Sequence, residues 1–427
     1  MADDDKEQQL REKIASQKAA IADLPSLSSI VEETGLTSPE TKARAQLIKE
    51  LSDNEEQLEI LLESKRVADV VRLQDELHPP LDPQDCPICL ETIKHVNIAT
   101  VVRFSCCGGW LCFQCADERE ANCKRDGFDL SFRNKCPLCR EEMYGEDDSQ
   151  KWRAKVLEHA NKGRAWAQRK IGNCYSDEIV GKKFGFPFDK EKGMHFLKQA
   201  ADQRYSDALY EMAISFTPPE LDESKHEHYL KEAADLGHPF AQAKLSYAYK
   251  RQKDDKGRLH YITLAASQGN PFACFELGSL FLSGECGLSE SMILVKHYYG
   301  KSLKDTEKLT ESQCQSYSCG VSIALYRLGS QQYEGMLLIP GHSPIPKSLF
   351  WARKAIKGDP STVTNDAINF ILSLENQAKS HCANCWKEAG CSSFMRCSRC
   401  SAAWYCGKEC QVQHWKAGHK IDCVKRK

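Results

Sequence analysis

Cysteine is the residue whose count and spacing carry chemistry in this 427-residue chain. Nine of its 22 cysteines lie between Cys86 and Cys139, and eight between Cys382 and Cys423. The first cluster runs in pairs: Cys86-x-x-Cys89, Cys106-Cys107, Cys112-x-x-Cys115 and Cys136-x-x-Cys139. The last cluster does the same with Cys382-x-x-Cys385, Cys397-x-x-Cys400, Cys406-x-x-x-Cys410 and His419-x-x-x-Cys423. A short turn between two cysteines brings both sulfurs to one cation. Two such pairs complete the tetrahedral shell that zinc prefers. Four pairs per cluster therefore predict two zinc ions each, four in all. Disulfides are the competing chemistry. The sequence opens Met1-Ala2-Asp3-Asp4-Asp5, which has no apolar core of an export signal. Paired cysteines in such a chain read as metal ligands in a reducing, intracellular setting. Nucleus and cytoplasm both stay open.

The first cluster resembles a RING finger. "Cys86-Pro87-Ile88-Cys89" and "Cys136-Pro137-Leu138-Cys139-Arg140" are close to that family's opening and closing signatures. The resemblance implies a cross-brace in which alternate pairs share a metal. Site one is then Cys86, Cys89, Cys112 and Cys115. Site two is Cys106, Cys107, Cys136 and Cys139. One departure stands out: Gly109 occupies the position where the family carries a histidine ligand. The adjacent Cys106 is the expected replacement, and Cys123 is its competitor. A closed four-ligand zinc has no open position for substrate, so the metal is structural. The family's implied role is ubiquitin transfer. Ile88 and Pro137 match its contacts to a ubiquitin-conjugating enzyme, and Arg140 matches the residue that steadies ubiquitin on that enzyme. A guanidinium can bridge carbonyls of both partners at once.

The last cluster, with Tyr405-Cys406, Cys410-Gln411 and His414-Trp415-Lys416, resembles a MYND finger with all eight ligand positions filled. The resemblance pairs Cys382, Cys385, Cys406 and Cys410 on one zinc, and Cys397, Cys400, His419 and Cys423 on the other. The i, i+4 pairs suggest ligands on one face of a helix. His414 and His381 read as surface residues, and Cys391 as a spare thiol. The family binds short proline-containing peptides, which implies groove roles for Gln411 and Trp415: an indole face suits proline and an amide holds peptide backbone.

The elements that carry these clusters lie between and before them. Residues 150–375 hold an internal repeat, aligned on Gly163, Arg204, Gly237, Gly269, Gly320 and Gly358 at spacings of 41, 33, 32, 51 and 38. Ala167, Ala208, Ala241, Ala273 and Ala324 follow the first five anchors by four positions. Ile171, Met212, Leu245, Leu277 and Leu328 follow by eight, and Tyr175, Phe216, Tyr249 and Phe281 follow the first four by twelve. Ala200-Ala201, Ala233-Ala234 and Ala265-Ala266 precede their anchors. A helix, a tight turn and a second helix explain each unit. Small residues permit close approach, and the large ones fill the layer between. "Asp-Leu-Gly-His-Pro-Phe-Ala-Gln" at 235–242 and "Ser-Gln-Gly-Asn-Pro-Phe-Ala-Cys" at 267–274 resemble SEL-like repeats, relatives of the tetratricopeptide repeats. That family's implied role is a protein-binding scaffold. The five cysteines of this region read as small core hydrophobes.

Residues 1–80 form a polar leader. Ser38-Pro39 starts a helix near 39–76, with Ser38 as cap, and Pro79-Pro80 stops it. Its leucine stripe drifts too soon for a coiled coil, which leaves a solvated helix behind a disordered start. The expected layout is thus mainly α: the leader over 1–80, a RING-like finger over 83–145, a helical-repeat solenoid over 150–375, and a MYND finger over 382–423.

With 58 Lys plus Arg against 60 Asp plus Glu, the chain is not a globally basic nucleic-acid binder. Residues 381–427 carry nine basic and three acidic residues. Thiolate ligation lowers their net charge to about +3. Neither cluster has groove-reading ββα spacing. No apolar run is long enough to span a membrane, and no P-loop, zincin helix or nucleophile elbow is present. Two functions remain. One is a ubiquitin ligase that recruits a conjugating enzyme and holds client proteins. The other is a non-enzymatic, zinc-dependent interaction adaptor.

Overall fold

The computed structural model describes residues 2–25, 30, 33, 39–125, 135–143, 149–216, 222–302, 349, 365–385, 387, 394–401, 403–420 and 423. Ser38, Cys391, the anchors Gly320 and Gly358, Ala324 and Leu328 lie outside them, as does the side chain of Cys123. The chain forms two compact units, Asp69–Asn270 and Met1–Ala68 with Pro271–Lys427.

In the unit Asp69–Asn270, the first zinc module is built on short antiparallel pairs. β1 (Gln84–Asp85) pairs with β2 (Thr92–Ile93), and β3 (Val101–Arg103) pairs with β4 (Trp110–Cys112) in the register Val102↔Leu111. The helix Phe113–Arg125 follows directly. Its core holds the cysteines themselves with Val101, Phe104, Trp110 and Leu111. So small a core cannot hold a fold alone, and metal must supply the rest.

The repeats follow as helices Ser149–Asn161, Ala165–Ser176, Glu178–Lys183, Lys190–Ala201, Ser206–Ser215, Glu223–Asp235, Pro239–Gln252 and Asp255–Ser267. The alignment anchors are the residues that end alternate helices in the left-handed region: Gly163, Arg204, Gly237 and Gly269 have φ of 76, 56, 80 and 77°. Each closes a Schellman turn; His238 N–H, for example, reaches Ala233 O at 3.0 Å. Arg204 bears the conformation at a cost that glycine avoids. The second helix of each pair starts at an aspartate whose carboxylate accepts a first-turn N–H: Asp189 from Lys192, Asp222 from Lys225, Asp254 from Gly257. Such a cap is worth about 1 kcal/mol.

The expected layer residues are core: Ala167, Ala208, Ala241, Ile171, Met212 and Leu245 are all buried. The aromatic positions acquire partners that the alignment did not include. Tyr175 stacks on Phe196, Phe216 on Tyr229 and Tyr249 on Tyr261, with ring planes within 7° of parallel. Cys174 is buried, as expected of a small hydrophobe, whereas Cys286 is only half-buried and Cys314 and Cys319 lie outside the described residues.

In the other unit, the start of the chain is a helix, Ala2–Ala22, not a disordered leader. It pairs with the long helix Pro39–Leu77, which contributes to both units. Leu10 and Ile14 are buried. Asn54 donates to Gln17 at 2.8 Å inside the pair, and Lys65 binds Asp4 and Glu7 at 2.6 and 2.8 Å. The apolar content is thin, and this polar pairing is what sequence patterning could not register. Helices Pro271–Ser283 and Met292–Ser302 pack together and repeat the motif. Ala273, Cys274 and Leu277 are fully buried, and Phe281 stacks on Tyr298. Tyr298 donates to the buried Glu63 at 2.5 Å. Helix Asn365–Ser380 leads into the C-terminal zinc module. There β5 (Met395–Arg396) pairs with β6 (Trp404–Tyr405), ahead of the helix Lys408–His414 and a π turn, Trp415–His419.

Candidate metal centres

The structure gathers sixteen ligand residues into four groups: Cys86, Cys89, Cys112, Cys115; Cys106, Cys107, Cys136, Cys139; Cys382, Cys385, Cys406, Cys410; and Cys397, Cys400, His419, Cys423. Within each group the donor atoms lie within 4.8 Å of one another. A zinc–sulfur bond of about 2.3 Å in a tetrahedron demands sulfurs about 3.8 Å apart. Cys89–Cys112 is 3.8 Å, Cys107–Cys136 3.9 Å, Cys385–Cys406 3.6 Å and Cys397–Cys423 3.7 Å. These are tetrahedron edges, far beyond a sulfur–sulfur bond of about 2.05 Å. His419 offers Nε2, 3.5 Å from Cys400 Sγ. The nitrogen–sulfur edge is shorter because the zinc–nitrogen bond is shorter. The residues fit four zinc ions, two per module.

A repeated turn explains why these sulfurs converge. Cys86 O accepts from Leu90 N–H, and Cys86 N–H donates to Glu91 O. Cys136 does the same with Arg140 and Glu141, and Cys397 O accepts from Ser401 N–H. Leu90, Arg140 and Ser401 accordingly sit at φ of 61, 66 and 54°. The turn aims backbone N–H groups at the leading sulfur. At Cys86, Cys136, Cys382 and Cys397 burial opposes ionisation. The turn's amides, joined at Cys86 by the Cys112 amide and at Cys382 by the Cys406 amide, outweigh it with the neighbouring thiols and hold each thiol below its ordinary value. A bound zinc ion keeps all four ligands of a set deprotonated.

The second site uses a variant of this turn. Phe104 stands where the leading cysteine would be: its carbonyl accepts from Gly108 N–H and its N–H donates to Gly109 O, both at 2.8 Å. Among the described residues Cys106 stands in the place of the missing first ligand, with its Sγ 3.5 Å from Cys139 Sγ. Gly109, at the family's histidine position, gives only its N–H, to Cys107 Sγ. A Cβ there would fall 2.5 Å from Leu138 Cδ1, so a side chain fits only if the half-buried Leu138 turns aside.

In the C-terminal module two expectations need correction. Cys406 and Cys410 do not share a helix: Cys406 precedes Gly407, the cap of the helix, and Cys423 lies beyond the π turn. The i, i+4 spacing spans helix ends because the chain must turn around each metal. His414 is not a surface residue. It is buried, its Nδ1 is 3.0 Å from Tyr405 Oη, and it stacks on His419 at 4.7 Å. Its signal was its place beside the ligands, with Tyr405 one residue before Cys406. His381 is half-buried.

The expected contact residues divide by exposure. Ile88 is 58% exposed at the tip of its turn, and Arg140 is exposed at the end of the matching one, with Pro137 half-buried between Cys136 and Leu138. Trp415 is exposed and Gln411 half-buried, one helical turn apart.

Comparison with known proteins bears on the C-terminal module. The MYND finger family model matches residues 376–423. Ubiquitin carboxyl-terminal hydrolase 16 of Arabidopsis thaliana is 46% identical over 43 residues, 10% of this chain and 4% of that protein. Programmed cell death protein 2 of Bos taurus is 37% identical over 75 residues, 18% of this chain and 20% of that protein. The chain thus spans a fifth or less of these relatives. Among solved structures, a Sel1 repeat protein from Oxalobacter formigenes superposes with a TM-score of 0.40 at 15% identity, covering 54% of this chain and 83% of that one. A protective antigen of uropathogenic Escherichia coli with an SLR fold gives 0.38 at 18% identity, covering 53% and 48%. The chain carries a MYND finger at its C-terminal end and a second cysteine-rich module of two-zinc make-up ahead of its helical repeats. No helix among the described residues is long and apolar enough to cross a membrane.

Proposed function

We propose that the chain is a RING-type ubiquitin-protein ligase. Its first zinc module recruits a ubiquitin-conjugating enzyme, its repeats hold client proteins, and its MYND finger captures a proline-containing peptide. The observation that carries this reading is the exposure of Ile88. A turn that buries Cys86 completely leaves an isoleucine 58% exposed at its tip. Exposed apolar residues on a metal-fixed turn make a rigid docking point. The module touches the repeats through Asn97, Ile98, Cys106 and Gly108, and the exposed Ile88 tip stays open to a partner. The chain needs no nucleophile of its own, because the reactive thioester belongs to the conjugating enzyme. Holding that thioester beside a client lysine accelerates aminolysis by proximity. Arg140 extends from the equivalent turn and restricts the mobile ubiquitin, and Gln411 and Trp415 share the helical face that receives the peptide.

The all-cysteine second site favours a second reading, an adaptor that binds proteins through both zinc modules without transfer. Autoubiquitination by the zinc-loaded protein with a panel of conjugating enzymes decides between them. Chains formed by the wild type and lost in Ile88→Ala and Arg140→Ala support the ligase. No chains with any enzyme, from protein holding four zinc ions, rejects it in favour of the adaptor.

A further inference from the structure

On the repeat side of the first zinc module, two cavities meet at Arg103, Trp166 and Tyr205. The smaller has a volume of about 180 Å³. Its lining brings together Arg103 from β3 and Arg169 and Lys170 from the helix Ala165–Ser176, with the Tyr205 ring, and contains no acidic residue. The larger, about 400 Å³, adds Lys94, His95, Arg164 and Arg204; Lys94 pairs with Asp75, Arg204 lies 3.7 Å from Glu232, and Asp82 is the carboxylate in the lining itself.

The cations of the smaller cavity are only partly neutralised. Arg169 pairs with Glu211 at 2.7 Å, but its buried Nε has no acceptor. Arg103 donates to Gly108 O at 2.7 Å, which uses one of its five N–H groups. Lys170 Nζ lies 5.9 Å from the centre of the Trp166 ring, and among the described residues it makes no ion pair. Burial, with the charges of Arg169 and Arg103, pushes its ammonium down to about 8. Glu211 and the nearby Asp207 offset Arg169, but among the described residues Arg103 and Lys170 have no carboxylate partner, so the site still lacks negative charge. Guanidinium forks and an ammonium suit a tetrahedral oxyanion better than a single carboxylate.

We propose that these cavities bind a phosphate monoester. Arg103, Arg169 and Lys170 hold the phosphoryl group in the smaller cavity, and acidic groups of the same ligand face Arg164 and Arg204 in the larger. The phosphoryl group can come from a small metabolite or from a phosphorylated protein segment. The chemistry at the three cations is the same.

The test is isothermal calorimetry on zinc-loaded full-length protein at ionic strength fixed with chloride. The probes are inorganic phosphate, a phosphoserine peptide flanked by glutamates, and the same peptide unphosphorylated. Saturable phosphate binding is expected, weakened at least tenfold in Lys170→Met. The melting temperature of that variant at pH 7 should equal or exceed that of wild type, which separates loss of the site from loss of the fold. A phosphopeptide that binds more tightly than phosphate, with the excess lost in Arg164→Gln, identifies a protein segment as the source. Equal affinities for both identify a free anion, and either result supports the site. No saturable binding of phosphate or phosphopeptide, undiminished affinity in Lys170→Met, or equal binding of the unphosphorylated peptide overturns the proposal. No conjugating enzyme is present in the measurement, so its failure and that of the ligase reading are distinguishable.

Discussion

His159 Nε2 lies 3.2 Å from the carbonyl oxygen of Cys106, and both residues are buried. A carbonyl only accepts, so the imidazole donates through Nε2. The contact joins a repeat helix to a ligand of the second zinc site. It is one of several. Ile98 N–H donates to Asp207 at 3.2 Å, Asn97 donates to Gly237 O at 3.4 Å, and Trp166 lies against Gly108 so closely that a Cβ there would approach within 2.8 Å. The zinc module is therefore seated on the repeats, and the geometry of its second site is held from outside the module.

Removing that support should loosen one metal. His159→Ala leaves the Cys106 carbonyl buried without a donor, at a cost of about 1–3 kcal/mol. Zinc release to a chromogenic chelator should speed up for one ion of the four. Uniform release kinetics in the variant would falsify the coupling.

The ammonium of Lys170 gives a pH dependence. Its value in the folded chain, about 8, is below the usual lysine value of 10.5. The unfolded chain therefore holds the proton more tightly, and the folded state is penalised wherever Lys170 is charged. Stability should rise as pH climbs from 8 toward 10.5, and below 8, where both states hold the proton, this contribution should level off at its minimum. Because the side chain is not sealed from water, the penalty at pH 7 is on the order of 1–3 kcal/mol. In Lys170→Met, urea unfolding at pH 7 should show a gain of that order, and the alkaline rise should flatten. A loss of stability at pH 7 contradicts this account.

Asp207 and His238 form a second dependency. Both are fully buried, with His238 Nε2 3.4 Å from Asp207 Oδ1, while His238 Nδ1 accepts the Ala241 N–H at the start of its helix. Burial opposes the Asp207 charge, but the His238 contact, the Arg169 charge and the Tyr205 hydroxyl together outweigh it and hold the carboxyl below the usual range. Asp207→Ala should cost about 1–3 kcal/mol, because it takes the acceptor from the Ile98 N–H and from the buried, neutral His238 ring. The double variant with His238→Ala should cost less than the two single losses added, as contacting residues do. Strict additivity in urea melts argues that the two residues do not act as a pair.

The repeats were legible because their chemistry is local. An anchor that must adopt positive φ, alanines where helices touch and a large residue two turns on recur at fixed offsets, and Gly163, Ala167 and Ile171 fill these positions in the structure. The stacking partners Phe196, Tyr229 and Tyr261 each stand eight residues before an anchor, a signal present in the sequence and passed over. Metal ligands were legible for the same reason, since spacing alone brings two sulfurs together. What sequence could not carry is contact between distant segments. His159 gives no sign that its partner is 53 residues earlier, and the first helix hides its pairing because Gln17, Asn54 and Lys65 do what apolar residues do elsewhere.

Arg140 allows the proposed ubiquitin contact to be tested without disturbing the fold. It sits at φ 66°, and its N–H holds the Cys136 carbonyl at 3.0 Å. A left-handed conformation costs a side-chain-bearing residue about 1–2 kcal/mol. Glycine avoids that cost, while its freer unfolded chain takes back about 0.5–1 kcal/mol. Arg140→Gly should therefore melt at or slightly above wild type, and Arg140→Ala, which keeps the strain, at or slightly below the glycine variant. Both remove the guanidinium, so both should lose ubiquitin chain formation alike and keep four zinc ions. Leu90→Gly, at the matching position with φ 61°, is the control for strain alone. If Arg140→Gly keeps full chain formation with every conjugating enzyme, the guanidinium has no part in transfer. Chain loss in Arg140→Gly with an unchanged melting curve assigns the residue to the ubiquitin contact and removes misfolding as the cause.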